Sequence, residues 1–404
     1  MDKVEYRDIE RARAILSGVA VHTELLRSDT LTHLIGSQVY LKAENRQRTG
    51  AFKIRGAYVK ILSLSPQETA RGVIAASAGN HAQGVAIAAQ AAGIKSVVVM
   101  PEVAPLSKIT ATRSYGAEVV LWGRTYDEAS RRAKQIQAEL GAVFVHPFDD
   151  PKVIAGQGTI GIEILEDLPD TDVIVVPVGG GGLIAGIATA AKHIRRDIRI
   201  VGVQAASAPA CHDSFHSGRL HSVPVAGTIA DGIAVKRPGD LTFSIIRELV
   251  DDMVTVGDEE ISQAVVLLLE RAKLLVEGAG AVGVAALLAG RLKYPGKKVV
   301  ALLSGGNVDI NAVAKIIEHG LTTAGRYLVI RTRLLDQPGQ LAALLRVLAE
   351  NRVNVLDIQH YRAGFNMPLN QAQVLVTVET RDFAHGQEIM EALAANGFSS
   401  ERAS

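Results

Sequence analysis

Lys53 is the first residue whose setting suggests chemistry. In Glu44-Asn45-Arg46-Gln47-Arg48-Thr49-Gly50-Ala51-Phe52-Lys53-Ile54-Arg55-Gly56 it follows an aromatic residue close to an expected helix start. Small residues at Gly50, Ala51 and Gly56 are placed where a flat ligand can approach the backbone. Burial of such a lysine lowers its pKa and exposes the amine lone pair, which suits Schiff-base chemistry. A solvated helix lysine is the competing reading, because most lysines stay in water. The neighbouring motifs have to decide between the two.

Ala76-Ser77-Ala78-Gly79-Asn80-His81-Ala82-Gln83-Gly84 follows the apolar run Gly72 to Ala75 and leads into a helical pattern. A Ser- and Gly-rich turn at a helix start presents unpaired backbone N–H groups, an anion site suited to a carboxylate or phosphate. N-capping by Ser77 or Asn80 is compatible with that role. Pro177-Val178-Gly179-Gly180-Gly181-Gly182-Leu183-Ile184-Ala185-Gly186 also passes from strand to helix. Four consecutive glycines carry an ordering cost that a plain connection does not need, whereas a phosphate cradle does. No Lys-Ser or Lys-Thr follows them, so this is not a P-loop.

Ser304-Gly305-Gly306-Asn307 closes the run Val299 to Leu303, at the strand end where open α/β sheets bind ligands. A further segment, Gly278-Ala279-Gly280-Ala281-Val282-Gly283, spells G-x-G-x-x-G. The residues before it, Glu259 to Leu275, have a helical period, and Leu302 and Leu303 stand where an acidic residue would be needed. NAD binding is therefore rejected. These glycines are assigned to close packing, with Glu277 as a candidate pocket residue.

The elements that must position these motifs show in the hydrophobic pattern. Ser96 to Met100, Glu118 to Leu121, Val173 to Val176, Ile198 to Val203 and Val299 to Leu303 are short β-branched runs, each long enough for a buried strand. Between them Gln83 to Ala92, Thr125 to Leu140, Leu183 to His193 and Glu259 to Leu274 have apolar positions at helical spacing. The alternation predicts an α/β fold around largely parallel sheets covered on both faces. The pattern changes near Leu321 to Arg326. Tyr327 to Leu335, Val353 to Tyr361 and Gln371 to Glu379 read as strands, and Pro338 to Asn351 and Asp382 to Asn396 as helices. A loop over Gly364 to Asn370 and a short final strand complete a ferredoxin-like βαββαβ layout.

The chain's 404 residues suggest two or three domains. Hydrophobic residues make up 48% and charged residues 21%, which excludes a disordered or collagen-like chain. Forty-three Lys and Arg against 42 Asp and Glu leave a net charge of +1, so no global field favours nucleic acid or anionic lipid. The uncharged stretch Val173 to Ala191 approaches the roughly 20 residues of a membrane span, but Pro177 and the glycines interrupt it. Cys211, the only cysteine, forms no intrachain disulfide, and the mixed charges of Met1 to Glu10 lack a secretory apolar run. A reducing, cytoplasmic location is expected.

Together these segments resemble the threonine dehydratase (threonine ammonia-lyase) branch of the pyridoxal phosphate enzymes. The likeness runs from about Ala14 to Asn311, with four motifs in the family's order. It implies PLP fold type II, tryptophan synthase β-like, with two open parallel-sheet subdomains in a catalytic domain over residues 1–322. The smaller subdomain would cover about 53–150. By that resemblance Lys53 carries pyridoxal 5′-phosphate as a Schiff base, and Phe52 lies beside it. Asn80 contacts the pyridine 3′ oxygen, Gly179, Gly180, Gly181 and Gly182 cradle the phosphate, and Ser304 faces the ring nitrogen. The turn Ser77, Ala78, Gly79, Asn80 and His81 holds the substrate carboxylate.

The implied reaction is elimination of water from L-threonine, with L-serine as a second substrate. A neutral Ser304 opposite the ring nitrogen fits prompt β-elimination better than a long-lived carbanion. Serine racemases are close relatives whose second acid/base serine corresponds to Ala78, and their divalent-metal carboxylates correspond to Gln204, Ala208 and Ala210. Dehydration rather than racemisation, and no magnesium or calcium there, are expected. Residues 326–404 resemble an ACT domain, including Asp336-Gln337-Pro338-Gly339-Gln340-Leu341. That implies a homodimer or homotetramer and an amino-acid effector, isoleucine or valine if the enzyme feeds branched-chain synthesis, with a purely structural dimerisation module as the alternative. A serine dehydratase or racemase, and a non-catalytic amino-acid-binding regulator, are the competing readings.

Overall fold

The computed structural model describes residues 3–362 and 368–403. The chain divides into two compact units, Met1–Ala312 and Val313–Ser404. In the first unit, β1 (Leu25–Arg27) and β2 (Gln38–Lys42) begin the larger sheet. The smaller sheet follows as β3 (Val73–Ala76), β4 (Ser96–Met100), β5 (Glu118–Leu121) and β6 (Val143–Phe144). The chain then returns to the larger sheet with β7 (Val173–Pro177), β8 (Arg199–Ala205), β9 (Asp252–Val256) and β10 (Lys298–Leu302).

The larger sheet has the order β1-β2-β10-β7-β8-β9 and the smaller β5-β4-β3-β6. All pairings are parallel except that of β1 with β2. β-Branched runs buried on both faces are what parallel sheets require, and β3 and β7 are buried at every position. β5 departs from the expected buried strand. It lies at the sheet edge, where Glu118 and Leu121 are exposed.

Helix starts are set by local chemistry. Thr125 caps Tyr126–Leu140 in a capping box with Glu128. Asp150 accepts from the N–H groups of Lys152 and Val153 to start Pro151–Asp167, with proline in its first turn. This buried helix packs on Gly182–Ile194, where a Cβ on Gly158 would meet the Gly186 carbonyl at 2.8 Å. Ile174, Val176, Ile184, Ile187, Ile200 and Val300 fill the core over the larger sheet. The uncharged stretch 173–191 is thus a strand, a glycine turn and part of a helix. Among the described residues no helix is long and apolar enough to cross a membrane.

The second unit is an antiparallel sheet in the order β12-β13-β11-β14, formed by β11 (Tyr327–Leu335), β12 (Val355–Tyr361), β13 (Gln371–Glu379) and β14 (Ser400–Arg402). The helices Gln340–Glu350 and Phe383–Ala395 complete a βαββαβ chain order. Alternation in β11 and β13 sends one side of each strand to a core of Ile330, Leu344, Leu348, Val374, Val376 and Leu393. Of the loop expected over residues 364–370, positions 364–367 lie outside the described residues.

Candidate active site

β10 lies between β2 and β7, so the turns after β10 and β7 emerge side by side at the carboxyl edge of the larger sheet. Ser304 is buried in the first of these turns. Its backbone oxygen accepts from the N–H of Phe52 at 3.1 Å, Ala51 bridges to Gly305, and Gly306 N–H donates to Gly50 O at 2.8 Å. These pairings hold the Thr49–Phe52 loop against the sheet. Lys53 follows as the first residue of the helix Lys53–Leu62.

The amine of Lys53 donates to the Pro147 carbonyl at 2.9 Å and sits 5.1 Å from the centroid of the Phe52 ring. Burial pushes its pKa down to about 8, against a smaller opposing pull from Glu277. Gly50, Ala51 and Gly56 were expected to clear space for a ligand, but a Cβ on Gly50 would stand 2.3 Å from Asn307 Oδ1, and Gly56 likewise serves packing. A Cβ on Gly56 would meet Gln157 at 2.5 Å and the Val153 carbonyl at 2.7 Å, so its smallness serves a close helix crossing.

Pro147 leads directly to Phe148, whose ring lies against the glycine turn. A Cβ on Gly180 would stand 2.4 Å from that ring. Gly181 has φ of 98°, a left-handed conformation that favours glycine, and is the N-cap residue of Gly182–Ile194. The turn is tied down by its carbonyls, as Gly180 O accepts from Thr242 Oγ1 at 2.7 Å and from Gly239 N–H. Among the described residues, the N–H groups of Gly179, Gly180, Gly181, Gly182 and Leu183 donate to no protein acceptor. Free donors at a helix N-terminus make an anion cradle.

The turn Ser77–His81 follows β3, and neither Ser77 nor Asn80 caps the helix after it. Gly79 is the N-cap residue, and Ser77 Oγ accepts instead from Gly79 N–H at 3.2 Å. The N–H groups of Ala78, Asn80 and His81 are left without protein acceptors among the described residues. Unused donors at a helix start are suited to an anion. The His81 ring turns away into the core, where Nε2 donates to Val145 O at 2.8 Å. Burial and the Lys53 charge push its pKa down to about 3, so the ring is neutral.

Asn80 links this turn to the larger sheet. Its Nδ2 donates to Glu277 Oε1 at 2.7 Å, and its Oδ1 accepts from Asn307 Nδ2 at 2.9 Å. The contacts therefore bring Lys53, Phe52, Ser304, Asn80 and the Ser77–His81 turn together. The Pro147–Phe148 segment joins this group to Gly179–Gly182.

Sequence reasoning missed Pro147 and Phe148, which approach from a loop with no motif. It also missed a buried ion cluster beneath the site. Arg55, two residues after Lys53, pairs with Glu44 at 2.8 Å and Glu163 at 2.6 Å, and Lys42 pairs with Glu163 at 2.9 Å. Full burial of Lys42 at the end of β2 is the departure from type that a sequence alone does not signal. Gln204, at the place considered for a metal, is buried and accepts from His212 N–H at 2.7 Å.

The pattern of the family described as pyridoxal-phosphate dependent enzyme matches residues 16–305, and that of the ACT domain matches residues 328–398. The chain is 51% identical to the L-threonine ammonia-lyase of Thermotoga maritima over 395 residues, 98% of both chains. Among solved structures, the processed form of threonine deaminase isoform 2 from Solanum lycopersicum matches with a TM-score of 0.74 at 39% identity. That match covers 78% of this chain and 87% of the other. Maize serine racemase matches with a TM-score of 0.75 at 36% identity, covering 80% and 99%.

Proposed function

The chain belongs to the pyridoxal-phosphate dependent enzyme family, and from that premise we propose that it removes water from L-threonine to leave an enamine, which takes up water and breaks down to 2-oxobutanoate and ammonia. The observation that carries this reading is the likeness to an L-threonine ammonia-lyase over 98% of the chain, catalytic unit and tail together. L-Serine is a second substrate, since one methyl group gives only about 1–3 kcal/mol of discrimination.

The residues present fit pyridoxal 5′-phosphate. The glycine cradle offers unused N–H donors, Lys53 offers an amine with a pKa near 8, and Ser304 is a buried hydroxyl just past the end of β10. Lys53 would hold the cofactor covalently, Gly179–Gly182 its phosphate, Asn80 its 3′ oxygen and Ser304 its ring nitrogen, with Phe52 beside the ring. Bound there, the cofactor supplies an electron sink for the pair released at Cα.

The N–H groups of Ala78, Asn80 and His81 bind the substrate carboxylate and so orient Cα toward Lys53. Freed when the substrate amino group takes its place, the Lys53 amine takes the α proton as general base, and its low pKa keeps a working fraction unprotonated near neutral pH. A proton returned to the β-hydroxyl lets it depart as water. Ser304 is neutral, which favours prompt departure over a long-lived carbanion. Ala78 carries no acid or base, so Lys53 works alone and racemisation is disfavoured.

The tail acts as an amino-acid-binding regulatory module, with isoleucine or valine as the natural effector if the enzyme feeds branched-chain synthesis. The working form is a homodimer or homotetramer. Its support is the edge strand β12, which leaves Leu356, Ile358 and Tyr361 exposed. The single buried cysteine and balanced charge favour the cytoplasm, without nucleic acid or membrane partners. Cofactor-loaded protein should form 2-oxobutanoate from L-threonine at a rate that isoleucine or valine changes. Substantial D-serine recovered from L-serine would favour the racemase reading instead. An absence of product and of any visible cofactor band would favour a non-catalytic regulator.

A further inference from the structure

Glu277 begins the helix Gly278–Leu288 as its N-cap residue, yet its carboxylate makes no capping hydrogen bond. It turns instead toward Asn80, in space that exists because position 305 is glycine. A Cβ on Gly305 would stand 2.4 Å from Glu277 Oε1. The Asn80 amide is thereby engaged at both ends, its oxygen by Asn307 at 2.9 Å and one Nδ2 hydrogen by Glu277 at 2.7 Å. Asn307 is in turn anchored on the Thr49 carbonyl. An amide nitrogen has two hydrogens, so the second Nδ2 hydrogen is left in a fixed direction.

We propose that Glu277 is a positioning residue, which clamps the Asn80 amide so that its remaining N–H is presented to an oxyanion on the cofactor ring. The inference rests on the cofactor reading above. Three charged groups face the carboxylate from other elements: Lys53 on its helix, Lys108 on the helix Leu106–Ser114, and Asp231 in the short turn Asp231–Ile233. Burial and Asp231 push Glu277 up to about 7, and either protonation state keeps an oxygen able to accept from Asn80. Reach rather than charge is therefore the property that matters.

Glu277→Gln keeps the reach and removes the charge, whereas Glu277→Asp keeps the charge and withdraws the acceptor. Both are loaded with pyridoxal 5′-phosphate, and absorbance is recorded against pH. A donor at the 3′ oxygen favours the tautomer that absorbs in the visible over the one that absorbs in the near ultraviolet. The clamp predicts a wild-type spectrum for Glu277→Gln. For Glu277→Asp it predicts a shift of intensity to the near ultraviolet and cofactor affinity weakened by about tenfold. Glu277→Ala should behave as Glu277→Asp does. Unchanged spectra in Glu277→Asp, or a shift in Glu277→Gln alone, would overturn the clamp while leaving the cofactor reading intact. A wild-type protein without a band would overturn both.

Discussion

Lys53 combines an early place in its helix, an aromatic neighbour and an environment that removes most of the lysine's usual preference for protonation. Its pKa near 8 has a measurable sign. Only the unprotonated amine attaches a carbonyl, so the rate of cofactor attachment to apoprotein should rise about tenfold per pH unit below about pH 8 and level off above it. Growth of visible absorbance after mixing checks this, and a rate independent of pH between about 6 and 8 would contradict it. The lysine was legible in the sequence because Phe52 and small residues surround it. Its hydrogen-bond acceptor was not, since Pro147 reaches it from a loop 94 residues away with no motif to mark it. Asn80 was legible as part of a turn, but the direction of its amide comes from Glu277 and Asn307, which only the fold brings near.

At the scale of elements, two strand-to-helix turns and one helix crossing carry the site. Gly180→Ala should force the Phe148 ring out of place, because the added Cβ would stand 2.4 Å from it. Cofactor affinity, measured by titrating apoprotein, is expected to fall by about tenfold or more, as when a charge-assisted hydrogen bond is lost. An unchanged affinity would remove this turn from the phosphate site. The helix carrying Lys53 is anchored by Arg55, whose fork spans Glu44 and Glu163. Arg55→Met leaves buried Glu44 without a cation and Glu163 with Lys42 alone, and should cost about 3–5 kcal/mol in urea unfolding, with Arg55→Lys recovering only part. A loss below about 1 kcal/mol would deny the anchor its role. Runs of β-branched residues made β4, β5 and β7 readable. β2 hid behind mixed polar residues, and Pro151–Asp167 hid behind glycines that serve close packing rather than helix propensity.

At the scale of the whole chain, the tail draws its apolar core from its own residues, from Leu328 to Leu393. A unit with its own core does not need the first unit to bury its apolar side chains. Protein ending at Thr323 should keep its turnover of L-threonine and lose any response to isoleucine or valine, which steady-state rates with and without each amino acid would show. Persistence of the response would move the effector site into the first unit. The tail was legible almost strand by strand because alternation in an antiparallel sheet is written directly into the sequence. The parallel sheets showed their strands but not their order, since β10 inserts between β2 and β7 through contacts of high sequence separation. The most direct test is to give cofactor-loaded protein L-threonine and follow 2-oxobutanoate, beside Lys53→Ala of matched folding. We expect steady formation by the wild type and none by the variant. Product from both, or from neither despite an intact visible band in the wild type, would contradict Lys53-dependent dehydration.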